Sequence, residues 1–509
     1  MNSNDHNNFV DSAQAVENVQ VEDGSGVAAA VWVSLLNSER RKKKSDKEDA
    51  NSDQVETRTE IERDYDRILF STPVRRLADK TQVFPLDKND SVRTRLTHSH
   101  EVSNLARSIG TMLVFTTSVA ANYQPALRDI PALLAAIGLV HDLGNPPFGH
   151  QGEAAIQSWF RDREKEVLKD ERRPLSKQQQ QDFLKFEGNA QAFRLVTRLQ
   201  LLNDNFGLDL TYATLSAMMK YPTCSTDVNP KGAAACKKHG FFSSEQEIAE
   251  AVQEKVGLKI GQRHPLAYIM EACDDIAYVV LDVEDAVKKG LASFSDLCGY
   301  LEHNCNSDPL TLKVVESARK KHAEYRAIKP ALSPAELNDV SMQRFRVFAI
   351  GKLVNSVTDT FLHADHLESF LNGTQKNSLL SLTKGNVLRS TLKDFAFKHA
   401  YRNRAVLELE LAGYNVIRGL MDIFWLAIQD IEDHTKPTSV RRHPFTRYVY
   451  GRISENYRRV YEAPLNGVAT RFDECILLTD MISGMTDSFA HDLYNELAPL
   501  KKKYEEEYR

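Results

Sequence analysis

One stretch of thirteen residues, 141–153, constrains this chain more than any other part of it. It reads HDLGNPPFGHQGE, so two histidines, an aspartate and a glutamate lie close together in the chain. Its first glycine and its proline pair predict a stiff loop that ends the preceding helix. The adjacent side chains of His141 and Asp142 can then reach one divalent cation. The stretch therefore predicts a metal-binding helix end, followed by a rigid loop that carries His150 and Glu153.

The residues before this stretch predict the helix that supports it. Leu133, Ile137 and Val140 fall on one face at helical spacing, and Pro131 suits the first turn of the helix. A His-Asp dipeptide by itself is common and is more often structural than metal-binding. The stiff loop with its second histidine and its glutamate shifts the balance toward a functional site.

Length, charge and cysteine content narrow the class of protein. The chain has 509 residues, which is enough for a large core or for two closely packed domains. Its formal charge of -5 gives no global basic field for nucleic acid, although a local basic patch stays open. The six cysteines form no C-x-x-C pair, so we expect reduced thiols in a cytoplasmic protein. We expect no membrane span and no signal peptide, because no apolar run has the required length.

Hydrophobic periodicity predicts an all-α fold, because helical spacing recurs from Thr57 onward and few stretches alternate with the period of a strand. Residues 1–56 are polar apart from a short apolar island, so we expect a mostly disordered or weakly ordered tail there. The predicted catalytic core covers 57–290, and a C-terminal helical region over 291–509 packs on it. Within the core, the highly charged residues 161–185 predict a surface excursion.

Two further residues are candidate metal ligands. His98 lies at the start of a predicted helix on its buried side, where a lone histidine is more often a hydrogen-bonded core residue. Asp274 lies in the apolar stripe of a helix predicted from Leu266, and a buried carboxylate needs a cation or a strong donor beside it. With His141 and Asp142 they make two imidazoles and two carboxylates. This set suits Mg²⁺, Mn²⁺ or a similar divalent ion better than structural zinc.

The chemistry that these side chains allow is hydrolysis of a phosphate ester. A metal with open positions can bind phosphate oxygens and polarise a water. His150 with Glu153 resembles an acid/base pair in which the carboxylate orients the imidazole. Arg95, Lys220 and Lys238 could neutralise phosphate charge, with ordinary solvated lysines as an equal alternative for the last two. The spacing alone does not identify the substrate.

Several longer strings occur in an order that carries a family resemblance. They resemble the bacterial deoxyguanosine triphosphate triphosphohydrolases, a branch of the HD-domain metal-dependent phosphohydrolases, from about residue 57 to about residue 495. The resemblance implies an all-helical HD-domain core, hydrolysis of dGTP to deoxyguanosine and triphosphate, a divalent metal (Mg²⁺ first, Mn²⁺ as the alternative) and a homohexamer. The strings are KTQVFPL at 80–86, RTRLTHS at 93–99, the stretch 141–153, FEGNAQ at 186–191, MEACDDIAY at 270–278 and ISGMTD at 482–487.

The resemblance also implies roles for individual residues. The implied metal ligands are His98, His141, Asp142 and Asp274. The implied catalytic dyad, which serves the attack of water on the α-phosphorus, is His150 and Glu153. The implied contacts to the deoxyribose are Gln82, Tyr278 and Asp282. The implied triphosphate contacts are Arg95, Lys220 and Lys238, and the implied guanine contact is Glu410. For the acidic face of the helix around Tyr278, the alternative is an ordinary solvated surface, which would suit Asp275 and Asp285.

The chain departs from the family pattern on the side of the base. The family's base-side arginine falls near Ser439, so Arg441 or Arg442 would have to replace it, and guanine preference is less secure than the chemistry. A broad dNTP triphosphohydrolase, activated by a nucleotide, is therefore the first alternative. The second is a regulator that binds single-stranded nucleic acid, with Arg402, Arg404 and the two arginines above on its surface. In an enzyme, single-stranded DNA would be an effector.

Overall fold

The computed structural model describes residues 25–43, 57–84, 92–116, 123–200, 206–328, 332–434, 436–463 and 468–508. Within these ranges there is no β-strand, and β-type pairing is limited to three isolated bridges. The predicted all-α fold is confirmed. The described part of the chain contains twenty-one α-helices: α1 (Ser25–Leu35), α2 (Glu60–Leu69), α3 (Thr72–Arg76), α4 (Arg95–Thr116), α5 (Ala126–Val140), α6 (Gly149–Asp162), α7 (Lys177–Leu184), α8 (Gly188–Arg194), α9 (Tyr212–Met218), α10 (Gln246–Lys255), α11 (Pro265–Lys288), α12 (Phe294–Asn304), α13 (Pro309–Ile328), α14 (Pro334–Leu362), α15 (Ala364–Leu371), α16 (Asn386–Ala396), α17 (Arg404–Gln429), α18 (Pro444–Gly451), α19 (Glu455–Glu462), α20 (Arg471–Ser483) and α21 (Asp487–Tyr508).

Helices α4, α5 and α11 form the frame of the site. Helix α4 packs along α5, and α11 packs against both of them. The crossing of α4 and α5 is close because Gly138 has no side chain: a Cβ there would lie 2.7 Å from the Cα of Ser103. Apolar residues of all three helices are fully buried at their common interface, which stabilises the frame.

Helix α5 starts earlier than the sequence predicted. It begins at Ala126, so Pro131 lies inside the helix and the prediction for its first turn is wrong. Because proline has no backbone N–H, one helical hydrogen bond is missing there. The ring instead packs against Gly110 of α4, where a Cβ would lie 3.0 Å from the Cα of Pro131. The helix ends at Val140, and His141 is its C-cap residue, as the loop sequence required.

The buried side chains form two large hydrophobic clusters. The first runs from Trp32 to Ala396 and surrounds α4, α5, α11 and α14. The second runs from Phe148 to Leu497 and surrounds α6, α17, α20 and α21. Leu143 belongs to the first cluster and Phe148 to the second, so the loop between them crosses from one core to the other. The predicted division of the chain at residue 290 stays a prediction.

The described end of the predicted N-terminal tail is packed against the core. Trp32 and Leu35 of α1 are buried in the first cluster. Arg40 then forms ion pairs with Glu60 at 2.8 Å and Asp64 at 2.7 Å. Residues 1–24 and 44–56 of the predicted tail lie outside the described residues.

The predicted surface excursion at 161–185 is less exposed than its charge suggests. Val167, Leu168 and Phe183 are buried, and all three belong to the second cluster. Phe183 stacks on Phe160 of α6 with ring centroids 4.8 Å apart. Apolar residues at wide spacing anchor the segment, and one of its charged residues, Asp182, is fully buried and accepts hydrogen bonds from Ser225 and Ser243.

One helix has the length and composition of a membrane span. This is α17, which contradicts the expectation that no apolar run has the required length. Half of its most apolar window is buried inside the protein. A core helix of a soluble protein passes the same test, and α17 packs against α6, α20 and α21.

Candidate active site

Three of the predicted metal ligands converge from distant parts of the chain. His98 comes from α4, His141 from the end of α5, and Asp274 from the middle of α11. Their candidate ligand atoms all lie within 4.8 Å of one another. The shortest separation, 3.2 Å, joins Nε2 of His98 to Oδ1 of Asp274, and Nε2 of His141 lies 3.6 Å from the same oxygen. The packing of three helices therefore creates a group that no local sequence pattern contains.

The tautomer of His141 fits a bound cation. Its Nδ1 lies 2.7 Å from the carbonyl oxygen of Gly138, so Nδ1 donates a proton there and Nε2 carries the lone pair. Among the described residues, this buried Nε2 has no hydrogen-bond partner. An orphaned imidazole nitrogen that faces carboxylates, with its other nitrogen held by a carbonyl, is the usual arrangement of a metal-binding histidine.

Charge at this site supports the same interpretation. Burial opposes a positive charge on His141, but Asp142 and Asp274 outweigh it and raise its pKa to about 9. Burial likewise opposes ionisation of Asp274, yet Lys220 and His141 hold the pKa of that carboxyl well below its usual range. The pair of carboxylates thus requires a positive charge beside it, which a divalent cation can supply in place of a proton.

Asp142 lies beside this group rather than within it. Its Oδ1 is 3.6 Å from Nε2 of His141 and accepts a hydrogen bond from Nδ2 of Asn145 at 2.5 Å. Its Oδ2 accepts from Nη1 of Arg95 at 2.6 Å. Burial would raise the pKa of Asp142, but Arg95 and the two histidines hold it well below the usual range. Asp142 is therefore ionised and adjacent, and its role as a fourth ligand stays a prediction.

Two of the predicted phosphate-binding cations flank the group. Arg95 is the first residue of α4 and is buried against Asp142. Lys220 places its Nζ 3.2 Å from Oδ2 of Asp274. Burial opposes its charge, but Tyr221 and Asp274 raise the pKa of Lys220 well above its usual value. Both side chains stay positively charged at neutral pH, as contacts to a triphosphate require.

The predicted dyad occupies the first turn of α6, so the expectation that the loop carries it is wrong: the helix begins at Gly149, directly after the proline pair and Phe148. Nδ1 of His150 lies 3.3 Å from Oε2 of Glu153, and the other oxygen of Glu153 accepts from the Gly188 backbone N–H at 2.8 Å. Burial would raise the pKa of Glu153, but the hydrogen bond from His150 and the charge of Lys238 lower it. Because the ionised carboxylate accepts from Nδ1, Nε2 of His150 keeps a lone pair. The His150 side chain is 87% exposed, so this nitrogen can meet a reactant.

Arg95 connects the metal-binding group to the helix of the dyad. Its Nη1 donates to Asp142. Its Nη2 lies close to Gly149, since a Cβ on that residue would be only 2.7 Å from this nitrogen. Gly149 is the first residue of α6 and has a φ of +55°, a left-handed conformation that glycine adopts without strain. The two halves of the site therefore meet across one guanidinium group.

Lys238 lies nearer to the dyad than to the metal ligands. Its Nζ pairs with Oε2 of Glu187 at 2.7 Å. Burial opposes its charge, but Glu187 and Glu153 raise the pKa of Lys238. Its side chain is 41% exposed, so it remains accessible to a ligand.

The predicted sugar-binding residues continue along α11. Asp274, Tyr278 and Asp282 are spaced four residues apart and share one side of the helix. The tyrosine ring stacks on Tyr401, at 5.9 Å between centroids, and the hydroxyl of Tyr401 donates to Asp282. Oε1 of Gln82 is buried with no hydrogen-bond partner in the described part of the chain. Sequence reasoning missed Tyr401, because it lies 119 residues from Asp282 and shows no local signal.

The acidic residues at the end of α11 are not a solvated surface. Asp285 is only 1% exposed and forms an ion pair with Arg93, which also pairs with the fully buried Glu284. The interpretation of Asp285 as a solvated residue is therefore wrong. Its charge pattern is the same as that of an exposed face, and only the partner from another part of the chain distinguishes the two.

The predicted base-side residues separate into two places. Glu410 lies on α17 beside the dyad helix, where its Oε2 accepts from Nε2 of Gln151 at 3.4 Å. Arg441 is buried and donates to the carbonyls of Pro437 and Ser439. Its guanidinium carbon lies 3.3 Å from the centroid of the Tyr450 ring. Arg442 donates to the carbonyl of Ile431 within the same connection between α17 and α18. These contacts hold both arginines inside that connection, and their use in base recognition stays a prediction.

The family comparison first defines the class. The HD domain family matches residues 95–190, which span two of the clustered ligands, Asp142 and the dyad. With its metal-binding cluster, the chain is a phosphohydrolase of the HD-domain class.

Comparison with curated proteins then gives the particular family. A deoxyguanosinetriphosphate triphosphohydrolase-like protein of Listeria innocua is 36% identical over 478 residues, which cover 92% of this chain and 99% of the relative. The deoxyguanosinetriphosphate triphosphohydrolase of Klebsiella pneumoniae is 34% identical over 494 residues, 87% of this chain and 95% of the relative. A probable deoxyguanosinetriphosphate triphosphohydrolase of Pseudomonas aeruginosa is 32% identical over 481 residues, 88% of this chain and 95% of the relative. The chain belongs to the deoxyguanosinetriphosphate triphosphohydrolase family, which confirms the resemblance.

Proposed function

We propose that the protein hydrolyses dGTP to deoxyguanosine and inorganic triphosphate and that it needs a divalent cation, Mg²⁺ in the first place and Mn²⁺ as the alternative. The observation that carries the proposal is the position of Arg95. Its guanidinium group contacts Asp142 on one side and the first residue of the dyad helix on the other. A cation site and a general base therefore lie at one loop, with a positive charge between them.

In the proposed reaction, the dyad handles the proton of the attacking water. Nε2 of His150 takes this proton, while Glu153 holds the imidazole by Nδ1. The water oxygen forms a bond to the α-phosphorus, and the bond from that phosphorus to O5′ breaks. O5′ takes a proton from a solvent water, and His150 returns the proton it accepted to the solvent. Arg95, Lys220 and Lys238 bind the triphosphate oxygens. When bound between His98, His141, Asp142 and Asp274, a divalent cation neutralises phosphate charge and lowers the pKa of a water.

Substrate choice in the proposal depends on α11 and α17. Tyr278 packs beneath the deoxyribose and excludes a ribose 2′-hydroxyl, while Gln82 and Asp282 contact the sugar. The Oε1 of Gln82 is buried and has no hydrogen-bond partner among the described residues, which supports a contact between this atom and the sugar. Glu410 accepts from the N–H groups of guanine, and its place beside Gln151 of the dyad helix supports this role.

The cellular setting is part of the same proposal. All six cysteines are free in the structure, in agreement with a reducing cytoplasm. The homohexamer comes from the family resemblance. On α17 near Glu410, Leu407 and Leu411 are 49% and 62% exposed, which supports a contact between subunits next to the base-side residue.

The test of this proposal is an analysis of products. We would incubate the protein with each dNTP in Mg²⁺ or Mn²⁺ and separate the products by ion-exchange chromatography. The expected result is triphosphate and deoxyguanosine from dGTP, and no turnover by the matched variant His150→Ala. Pyrophosphate or a nucleoside monophosphate as product would mean attack at another phosphorus and would contradict the proposed chemistry.

A broad dNTP triphosphohydrolase is the second candidate, and one observation favours it. Arg441 and Arg442 are held by backbone carbonyls of their own connection, which leaves Glu410 as the base-side contact. A single carboxylate discriminates less between bases than a carboxylate with an arginine. Triphosphate from all four dNTPs, or from one dNTP only when another is added, would favour this candidate over the first.

Single-stranded DNA belongs to the proposal as an effector. Of the arginines predicted to bind it, Arg404 is 92% exposed at its side chain, whereas Arg441 is buried. A salt-dependent affinity for a single-stranded oligonucleotide, lost in Arg404→Ser, would support this part. DNA binding without turnover of any dNTP would instead favour a regulator that binds nucleic acid.

A further inference from the structure

The loop between Asp142 and His150 decides where the dyad lies relative to the metal ligands. It crosses from the first hydrophobic cluster to the second, and it has no regular structure of its own until α6 begins. Two buried charged residues from distant parts of the chain hold it: Lys80, which precedes α4, and Asp487, which begins α21. Both residues lie in strings that carry the family resemblance, and the proposed reaction gives neither Lys80 nor Asp487 a role.

Lys80 is bonded to three parts of the site frame at once. Its Nζ donates to the carbonyl of Asn145 in the loop, at 2.5 Å, and to the carbonyl of Ser483 at the end of α20, at 2.8 Å. Its own carbonyl accepts from the backbone N–H of Arg95 at 2.9 Å. The same residue thus holds the loop and the start of α4, the helix that carries His98.

Asp487 holds the other end of the loop. Its Oδ1 accepts from the backbone N–H of Phe148 at 3.0 Å. Its Oδ2 accepts from the backbone N–H of Thr81 at 2.9 Å and from the Thr81 hydroxyl. The carboxylate is 1% exposed, so these bonds replace nearly all of its hydration.

Phe148 explains why the loop needs such support. It precedes α6 and has a φ of +60°, in the left-handed region that a bulky residue rarely adopts. Surrounding contacts must maintain such a conformation. Asp487 fixes its N–H, and its ring packs against α17 where Gly413 has no side chain, since a Cβ there would lie 2.4 Å from Cγ of the ring. The direction of α6, and with it the position of His150, follows from this one residue.

We propose that Lys80 and Asp487 are positioning residues, which fix the loop at Asn145 and Phe148 and so set the distance from the His150–Glu153 dyad to the metal ligands. The effect of this positioning on catalysis rests on the proposed function. Neither residue has to contact substrate or metal for it. The pair acts through the backbone of the loop: Lys80 is 65 residues from Asn145 in sequence, and Asp487 is 339 residues from Phe148.

The energetics favour positioning over simple stabilisation. Burial lowers the pKa of Lys80 to about 7, opposed by Asp487, so an ammonium group is costly to keep there. A buried charged group often stabilises a protein no better than an apolar residue of the same size would. The two residues fix the orientation of the loop backbone, because hydrogen bonds weaken steeply when donor and acceptor are misaligned.

The experiment compares Asp487→Asn and Lys80→Met with two matched controls, Asp492→Asn on the same helix and Lys502→Met, whose side chains are 82% and 80% exposed. Deuterium uptake by peptides that cover 143–152 is measured by mass spectrometry on the full chain. Steady-state kinetics with dGTP are measured alongside. In the two test variants we expect faster uptake in these peptides and a kcat that falls on the order of 10–100-fold, because small displacements of a general base are that costly. The KM and the affinity for Mn²⁺ should stay near those of the controls.

Two results would overturn the inference. Unchanged uptake over 143–152 would show that the pair does not hold the loop, whatever the activity. A lower thermal midpoint with unchanged kcat would show a purely structural role. Wild-type protein that turns over no dNTP would contradict the proposed function instead, and the uptake measurement would still decide whether the pair fixes the loop. If Asp487→Asn does not fold, Thr81→Val removes a single donor from the carboxylate and should give the same changes to a smaller extent.

Discussion

The metal-binding group and the dyad lie at the two ends of one loop, yet the fold holds them in different ways. His98 and Asp274 are 176 residues apart in sequence, and the side chains of both histidines in the group are at least nine-tenths buried. His150 and Glu153 are one helical turn apart, and the imidazole is 87% exposed. Core packing therefore fixes the first set before any ligand binds. The second set has a single carboxylate to orient the imidazole, which is open to solvent as the proposed role of a general base requires.

Two aspartates on α11 differ in the direction in which their surroundings shift the pKa of the carboxyl. Lys220 and His141 outweigh burial and hold the pKa of Asp274 well below its usual range. For Asp282, burial raises the pKa well above the usual value, and the hydrogen bond from Tyr401 offsets it only in part. The helix thus presents an anion to the metal site and, two turns further on, a carboxyl that can also donate to a sugar hydroxyl.

Removal of a clustered ligand should have the largest effect. In Asp274→Asn we expect kcat to fall roughly 10³-fold or more, because the electrostatic contribution of a metal is several kcal/mol and each 1.36 kcal/mol is a factor of ten. Calorimetric titration with Mn²⁺ should also show no binding. Asp492→Asn, on the exposed side of α21, serves as the control. Retained Mn²⁺ affinity in the Asp274 variant would remove this residue from the metal site.

A change in the dyad should separate chemistry from metal binding. In His150→Gln we expect kcat to fall about 10²–10⁴-fold, as for the loss of a general base. The affinity for Mn²⁺ should not change, because His150 bonds to Glu153 and to no residue of the metal group. Parallel kinetics and calorimetry check both halves. A loss of metal affinity here would mean that the two halves of the site are not independent.

A change at the base side should be smaller and should alter selectivity. In Glu410→Gln we expect the ratio of kcat/KM for dGTP to that for dATP to fall about tenfold, the value of one hydrogen bond to a charged group. Glu408→Gln is the matched control, since Glu408 lies on the same helix, is 63% exposed and pairs with Arg404. An unchanged ratio in the Glu410 variant would favour the broad dNTP enzyme.

The last prediction concerns stability and leaves catalysis aside: the anchoring of α11 depends on pH. His264 caps this helix by accepting from the N–H of Leu266, and it donates to the carbonyl of Leu35 in α1. Burial lowers the pKa of His264 to about 4, from an ordinary value of 6.5. The unfolded chain therefore binds more protons between these values, and the folded state loses stability as the pH falls from 6.5 through about 4.

Urea unfolding at pH 7, 6 and 5 checks this prediction. Replacement by a residue that cannot titrate, His264→Gln, should make the free energy of unfolding less dependent on pH, by about 3 kcal/mol at most over the full range. His491→Gln, at a half-exposed position on α21, is the control. An equal slope in the wild type and in the His264 variant would contradict the prediction.

Local patterns predicted much of the site. The end of α5 at His141 and the burial of His98 follow from helical spacing and from the stop signals of glycine and proline. The dyad, which the sequence placed in the loop, lies on the first turn of α6, and the side chain of Asp274 keeps 22% exposure because it faces the site rather than the core. Where pattern and environment separate, sequence reasoning was wrong or silent. The start of α5 was misplaced because Pro131 packs inside the helix, and Asp285 was taken for a solvated residue because nothing local reveals Arg93.

The sequence by itself determined the kinds of atoms that the site contains and the helices that carry them, because periodicity and turn residues act over a few neighbouring positions. Tertiary structure alone decided which atoms meet. The two histidines that share an oxygen of Asp274, the stacking of Tyr401 on Tyr278 and the bond of Asp487 to the loop join residues more than a hundred positions apart. The bond of Lys80 to the loop spans 65 positions. Such contacts depend on how two hydrophobic clusters pack around one short loop, and no local pattern along the chain shows which residues meet there.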